Sequence, residues 1–269
     1  MKKAKKTTRK KSQKVTYLLL GLAMVLLLGS AIGSTRAALS DSTEYFADID
    51  VPWIGVSLYE NGQMISSWEG KGEAKNGELL KNMLSEEEKL VLNKKYDEKL
   101  TVKNSGTIDE FVRVRIYKYW MKDDKKITTL SPDLIDLHLV NVGKPGDGTP
   151  WVIREPEGKS SEDISECTEL YYTGILKPEE GKAKITDNPD RPSETEPFAD
   201  TLRIDEQIAT DVRIEQNGNI ISTIYKYDGV EFHVDVEVDA VQTHNAKDAI
   251  KSAWGVDAES LGILGGWRE

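Results

Sequence analysis

The chain has 269 residues, with 46 acidic against 36 basic side chains and a formal net charge of −10. The charge is unevenly divided. Residues 1–37 hold nine basic side chains and no acid, so residues 38–269 set 27 basic against all 46 acidic side chains, a net charge near −19. That balance argues against nucleic acid and anionic lipid as partners, and the single cysteine, Cys167, excludes an internal disulfide.

The chain opens on eight basic residues within positions 1–14, followed by an apolar run from Tyr17 to Leu28 and by Thr35-Arg36-Ala37. A basic segment, a short apolar segment and small residues at −3 and −1 form the pattern of a secretory signal. The expected cleavage lies between Ala37 and Ala38. The alternative is an uncleaved anchor, but the strongly apolar part is about 12 residues, short of the ~20 that span a bilayer. The expected organisation is therefore a signal over residues 1–37 and one domain with loop insertions over residues 38–269. About 230 residues suit one large β domain or two small ones, and no domain boundary stands out between them.

Past the expected cleavage site, Val51–Tyr59 reads as a strand closed by an Asn61-Gly62 turn, and Gly70–Gly77 as a loop. Leu79–Leu92 is ambiguous, with Ser85 and Glu88 placed to cap a short helix. Lys99–Asn104, Glu110–Trp120, Asp133–Val140 and Glu169–Leu176 read as strands. In Glu110–Trp120, Val112, Val114 and Ile116 oppose Arg113, Arg115 and Tyr117. Gly143–Gly148 and the proline-containing, acidic Asp187–Glu196 read as loops.

The stretch from Asp211 to Val241 carries the clearest strand pattern, and it reads as a three-stranded meander. Asp211–Gln216, Asn219–Tyr227 and Val230–Val241 are separated by Asn217-Gly218 and Asp228-Gly229, the residue pairs that two-residue hairpin turns favour. In the last strand Val230, Phe232, Val234, Val236 and Val238 alternate with Glu231, His233, Asp235, Glu237 and Asp239. Period two over that length means one dry face and one wet face. Arg213 and Lys226 are the expected neighbours of the wet face. Next, Asn245 reads as a helix N-cap. Ala246, Ala249, Ile250, Ala253 and Trp254 form an apolar stripe, and Gly255 is the stop. Residues 256–269 read as a loose tail. About nine strands and one or more short helices make the expected fold an all-β antiparallel sandwich.

Several of these stretches resemble exported biofilm-matrix proteins of the TasA/camelysin type, in particular the BsaA-like branch that depends on a dedicated signal peptidase. They are Gly33–Ala37 with Ser40-Asp41, Leu100–Thr107, Val112–Ile116, Leu170–Thr173, Leu202–Gln207 and Val238–Trp254, of which Val241–Trp254 is the most specific part. The resemblance implies a β-sandwich of jelly-roll type and a secreted structural role in extracellular fibres or matrix. It also implies a signal peptidase, copies of the chain itself and other matrix proteins as partners.

An enzymatic reading finds little in the residues. The three histidines, His138, His233 and His244, form no His-Glu-x-x-His zinc helix, although camelysin is described as a metalloprotease. His233 with Glu231 and Asp235 is the best local cluster, and it reads as a solvated acidic face. Cys167 sits between Glu166 and Thr168-Glu169, where the carboxylates blunt its reactivity. Asp123-Asp124 and Glu162–Glu166 lack the spacing of a calcium loop and read as surface charge. The expectation is therefore no catalytic residue, metal or cofactor. A monomeric surface-binding module is the second reading. For assembly, Leu39, Tyr45 and Phe46 in Ala38–Ala47 are the expected contacts, freed by cleavage to add a strand to another subunit.

Overall fold

The computed structural model describes residues 17–24, 51–70, 74–81, 83–84, 88–154, 166–217 and 220–263. The chain divides into two units, residues 1–50 and 51–269. In the first, residues 17–24 form a helix, α1, whose apolar side chains are exposed. Among the described residues no helix is long and apolar enough to cross a membrane.

The second unit is built from strands. In chain order they are β1 (Gly55–Glu60), β2 (Gln63–Glu69), β3 (Tyr96–Asn104), β4 (Glu110–Lys122), β5 (Lys125–Ile127), β6 (Ile135–Leu139), β7 (Val142–Gly143), β8 (Trp151–Arg154), β9 (Cys167–Tyr172) and β10 (Ala199–Ile204). A one-turn helix, α2 (Gln207–Thr210), then precedes β11 (Val212–Asn217), β12 (Ile220–Tyr225), β13 (Glu231–Gln242) and the helix α3 (Ala246–Trp254). One sheet has the order β2-β1-β3-β10-β6. The other has the order β13-β4-β9-β8-β7, with β5 on the far end of β4. Among the described residues the pairings between these strands are antiparallel except β7 with β8. The fold is an all-β sandwich, as the alternating strands require.

The inner faces follow from period two. Leu100 and Val102 of β3 face Val112, Val114, Ile116 and Trp120 of β4, all buried in one core. Trp120 and Trp151 fill it, and each indole N–H finds a carbonyl: Ser131 at 2.7 Å and Glu196 at 2.9 Å. Burying those rings without a partner for the N–H would cost part of what their apolar area contributes. Lys118 also lies on the inner side of β4. Burial lowers its pKa, and its ammonium donates to the Ile135 carbonyl at 2.8 Å.

The Asn61-Gly62 turn forms as expected, both residues having positive φ. A hairpin turn also forms at Asp123-Asp124, both with positive φ, where the sequence suggested only surface charge. The ambiguous 79–92 stretch forms no helix at its described residues. β2, β8 and β10 are strands that the sequence reading left out.

The expected meander does not form. β11 and β12 make a hairpin, but β12 does not continue into β13. β13 instead pairs along its whole length with β4, from Glu231↔Met121 to Gln242↔Glu110. The reason is on the wet face. Arg115 and Arg113 of β4 stand opposite Glu237 and Asp239, and cross-strand charge pairs of that kind favour the register. Arg213 and Lys226, the expected partners, bind Glu215 and Asp211 within the hairpin.

α3 covers one end of this outer face. Ile250 and Trp254 pack on Phe111, Val152, Tyr171 and Val241, with the Trp254 and Tyr171 rings edge-on at 5.7 Å. Gly255 ends the helix at φ 71°, donating its N–H to the Lys251 carbonyl. Asn245, however, does not cap with its side chain. It sits in the left-handed region, and its carbonyl accepts from Ala249. The segment after α3 is no loose tail at its described residues: Val256, Ala258, Leu261 and Ile263 are buried in the same small core.

Candidate functional site

The two sheets end side by side in β2 and β13, the terminal strands of their sheets. Between them the core is open. A cleft of about 620 Å³ lies between Leu58, Ile65 and Ser66 on one wall and Phe232, Val234 and Val236 on the other. A second stretch of about 530 Å³ shares Leu58, Ser66 and Val236 and extends the cleft along Ile54, Trp68, Val238 and Ala240. The floor is apolar at the inward positions of these strands, while Asn76, Lys81, Asp235 and Glu237 make the rim polar. Val56 pairs with Trp68 and Leu58 with Ser66, so Trp68 and Ser66 share the inner face of β1. Val56 and Leu58 are buried, yet Trp68 is 44% exposed. Val236, Val238 and Ala240 are only half-buried. An inward face left half-open at a sandwich edge is the geometry of a place for one more strand.

The two edges differ. On β2 a bulge falls between Leu58 and Tyr59 of its partner, and Lys75 exchanges two backbone hydrogen bonds with Ser67. That edge is partly occupied. Among the described residues β13 pairs with β4 on one side only, and it has no bulge over its twelve residues. From Phe232 to Ala240 its free edge is about 27 Å long, at ~3.4 Å per residue.

A buried carboxyl pair holds the roof of the cleft. Glu60 and Glu98 point inward from β1 and β3 at diagonal positions, and both are buried. Glu60 accepts the Leu80 N–H at 2.6 Å, which holds Leu80 at φ 65°. Leu79, Leu80 and Met83 then line the cleft. Burial first, and the charge of Glu60 second, push the Glu98 carboxyl up to about 9. At neutral pH Glu98 is therefore protonated.

The histidines are apart from one another. His138 Nδ1 lies 2.7 Å from Asp200, whose pKa this contact lowers. His233 stacks on Tyr119 with ring centroids 5.2 Å apart, and its Nε2 is 3.9 Å from Glu231. The third member of that cluster, Asp235, accepts the Tyr119 hydroxyl at 2.7 Å, which raises the tyrosine to about 12. His244 is exposed in the turn before α3. Among the described residues no group of three or more His, Cys, Asp or Glu is placed to hold a metal ion. Cys167 is half-buried, and its pKa is raised chiefly by that burial. Ala37, Ala38, Leu39, Tyr45 and Phe46 lie outside the described residues.

Sequence reasoning did not find Trp68, Glu60 or Glu98. The β2 segment mixes polar and apolar residues without a clean period, and only the pairing with β1 gives Trp68 a side. No protein-family model, curated protein or solved structure matches the chain.

Proposed function

We propose that the chain is a secreted structural subunit that assembles with copies of itself into extracellular fibres or matrix. In this reading a signal peptidase removes residues 1–37, and Ala38–Ala47 of one subunit enters the cleft between β13 and β2 of the next. The observation that carries it is the half-open inner face at Trp68, Val236 and Val238 beside the free edge of β13. Ten extended residues reach about 30 Å, which matches that edge. Strand addition of this kind supplies backbone hydrogen bonds along the edge and apolar contacts on the inward side. The contact is head-to-tail and does not close on itself, so it propagates. The resemblance of Val241–Trp254 and the other stretches to matrix proteins of the TasA type supports the same role, with other matrix proteins as partners at the cell surface. The role requires no catalytic residue, metal or cofactor.

The test is deletion of Ala38–Ala47 from the mature chain, followed by circular dichroism and negative-stain microscopy. The expected result is a folded protein that forms no filaments. Filaments at the same concentration as the complete mature chain would overturn strand donation by this segment.

A further inference from the structure

Outside the two sheets, β11 and β12 pair only with each other among the described residues, over six residue pairs without a bulge. A two-stranded ribbon alone is marginal in water, and among the described residues no further strand joins this one. Its exposed side chains are the kind that a packed layer would cover: Ile214 is 68% exposed and Tyr225 55%. Its charges cancel internally. Arg213 binds Glu215 and Lys226 binds Asp211, each at 2.6 Å.

β12 also lacks the guards that edge strands normally carry. From Asn217 to Tyr225 there are nine consecutive residues with no charge and no proline, four of them Ile or Thr at positions 220, 221, 223 and 224. Natural edges avoid mutual pairing by charged residues, proline or bulges. A short uncharged segment of high β propensity without them is a pairing segment. β11, in contrast, carries Arg213 and Glu215.

We propose that β12 is a self-association edge that pairs with β12 of a second copy, antiparallel about a two-fold axis, giving a four-stranded sheet β11-β12-β12-β11. The occupant follows from charge. Residues 38–269 have a net charge near −19, so two copies repel over most of their surface. The ribbon is formally neutral and apolar, and contact there brings no like charges together. A two-fold contact closes on itself and yields pairs. It is thus distinct from strand donation and does not depend on it. Along any filament, repeated weak pairs would add up to lateral bundling.

The experiment uses the mature chain. Sedimentation measures self-association of the unaltered protein and of Thr223→Lys with Ile224→Lys, both at exposed positions. Hydrogen exchange of the unaltered protein is followed at low and high concentration and needs no variant. Expected are slower exchange at residues 220–225 as concentration rises and at least about tenfold weaker pairing in the lysine variant, because like charges then face each other across the edge. Negative stain should show single filaments in that variant and no filaments in the Ala38–Ala47 deletion, which separates the two contacts. Exchange that is independent of concentration overturns the proposal, and so does equal association of the variant and the unaltered chain.

Discussion

Arg113 of β4 and Asp239 of β13 stand directly opposite each other, and the Arg113 Nε and one terminal nitrogen both donate to the same Asp239 oxygen, at 3.0 and 2.7 Å. The guanidinium also lies 5.5 Å from the Trp254 ring of α3. One buried cation thus joins the two longest paired strands to the helix that covers them.

Arg113→Ala should destabilise the fold by about 2 kcal/mol, since it removes charge-assisted hydrogen bonds and the packing of a buried side chain. Asp235→Ala, at an exposed position of the same strand face, should cost less than about 1 kcal/mol. Urea unfolding of both variants checks the order. Equal costs would mean that Arg113 does not anchor this face.

Trp254→Ala should cost about 3–4 kcal/mol, as large-to-small changes at buried aromatics do. The loss should be concentrated in the small outer core. Hydrogen exchange should speed up at Ile250, Leu261 and Ile263 before it does at Leu100 or Val102 of the main core.

Stability should fall as pH rises. The Glu98 carboxyl is pushed up to about 9 in the folded state, against about 4.3 in an unfolded chain. The folded state therefore holds more protons than the unfolded one between those values, and the slope of stability with pH is negative there. The contribution is complete below the unfolded value and lost as pH rises through the folded one. Fully buried Glu110, raised well above the ordinary range by burial, acts in the same direction. Melting temperatures from pH 5 to 9 should decline in the unaltered chain and decline less steeply in Glu98→Gln.

Val238→Asp should block fibre formation while the fold survives. Val238 is half-buried on the cleft side of β13, so an aspartate there remains partly hydrated but places charge where an inserted strand would pack. Microscopy should show no filaments at unchanged circular dichroism. Abundant filaments in a folded Val238→Asp protein would move the acceptor site elsewhere.

N-terminal sequencing of protein recovered from medium should begin at Ala38. Retention of Met1–Ala37 in a membrane fraction would instead identify an anchor. Because residues 38–269 carry a net charge near −19, added salt should lower the concentration at which fibres appear.

The sequence by itself determined the local features of this protein. Period two in Glu231–Gln242 set a dry and a wet face whatever the strand paired with, because alternation is a property of the strand alone. Asn61-Gly62 and Gly255 fixed a turn and a helix end through positive φ, and the stripe from Ala246 to Trp254 fixed which side of α3 is buried. The tertiary structure decided everything that joins distant residues. It paired β13 with β4, more than a hundred residues earlier, rather than with the adjacent hairpin. It gave Arg113 and Arg115 the carboxylates that local reading assigned to Arg213 and Lys226. It brought Glu60 against Glu98, and left Trp68 and Val238 open at the same edge. Short-range pattern records which face of an element is apolar. Which partner covers that face, and whether any does, depends on register and charge complementarity between segments that have no local signature of each other.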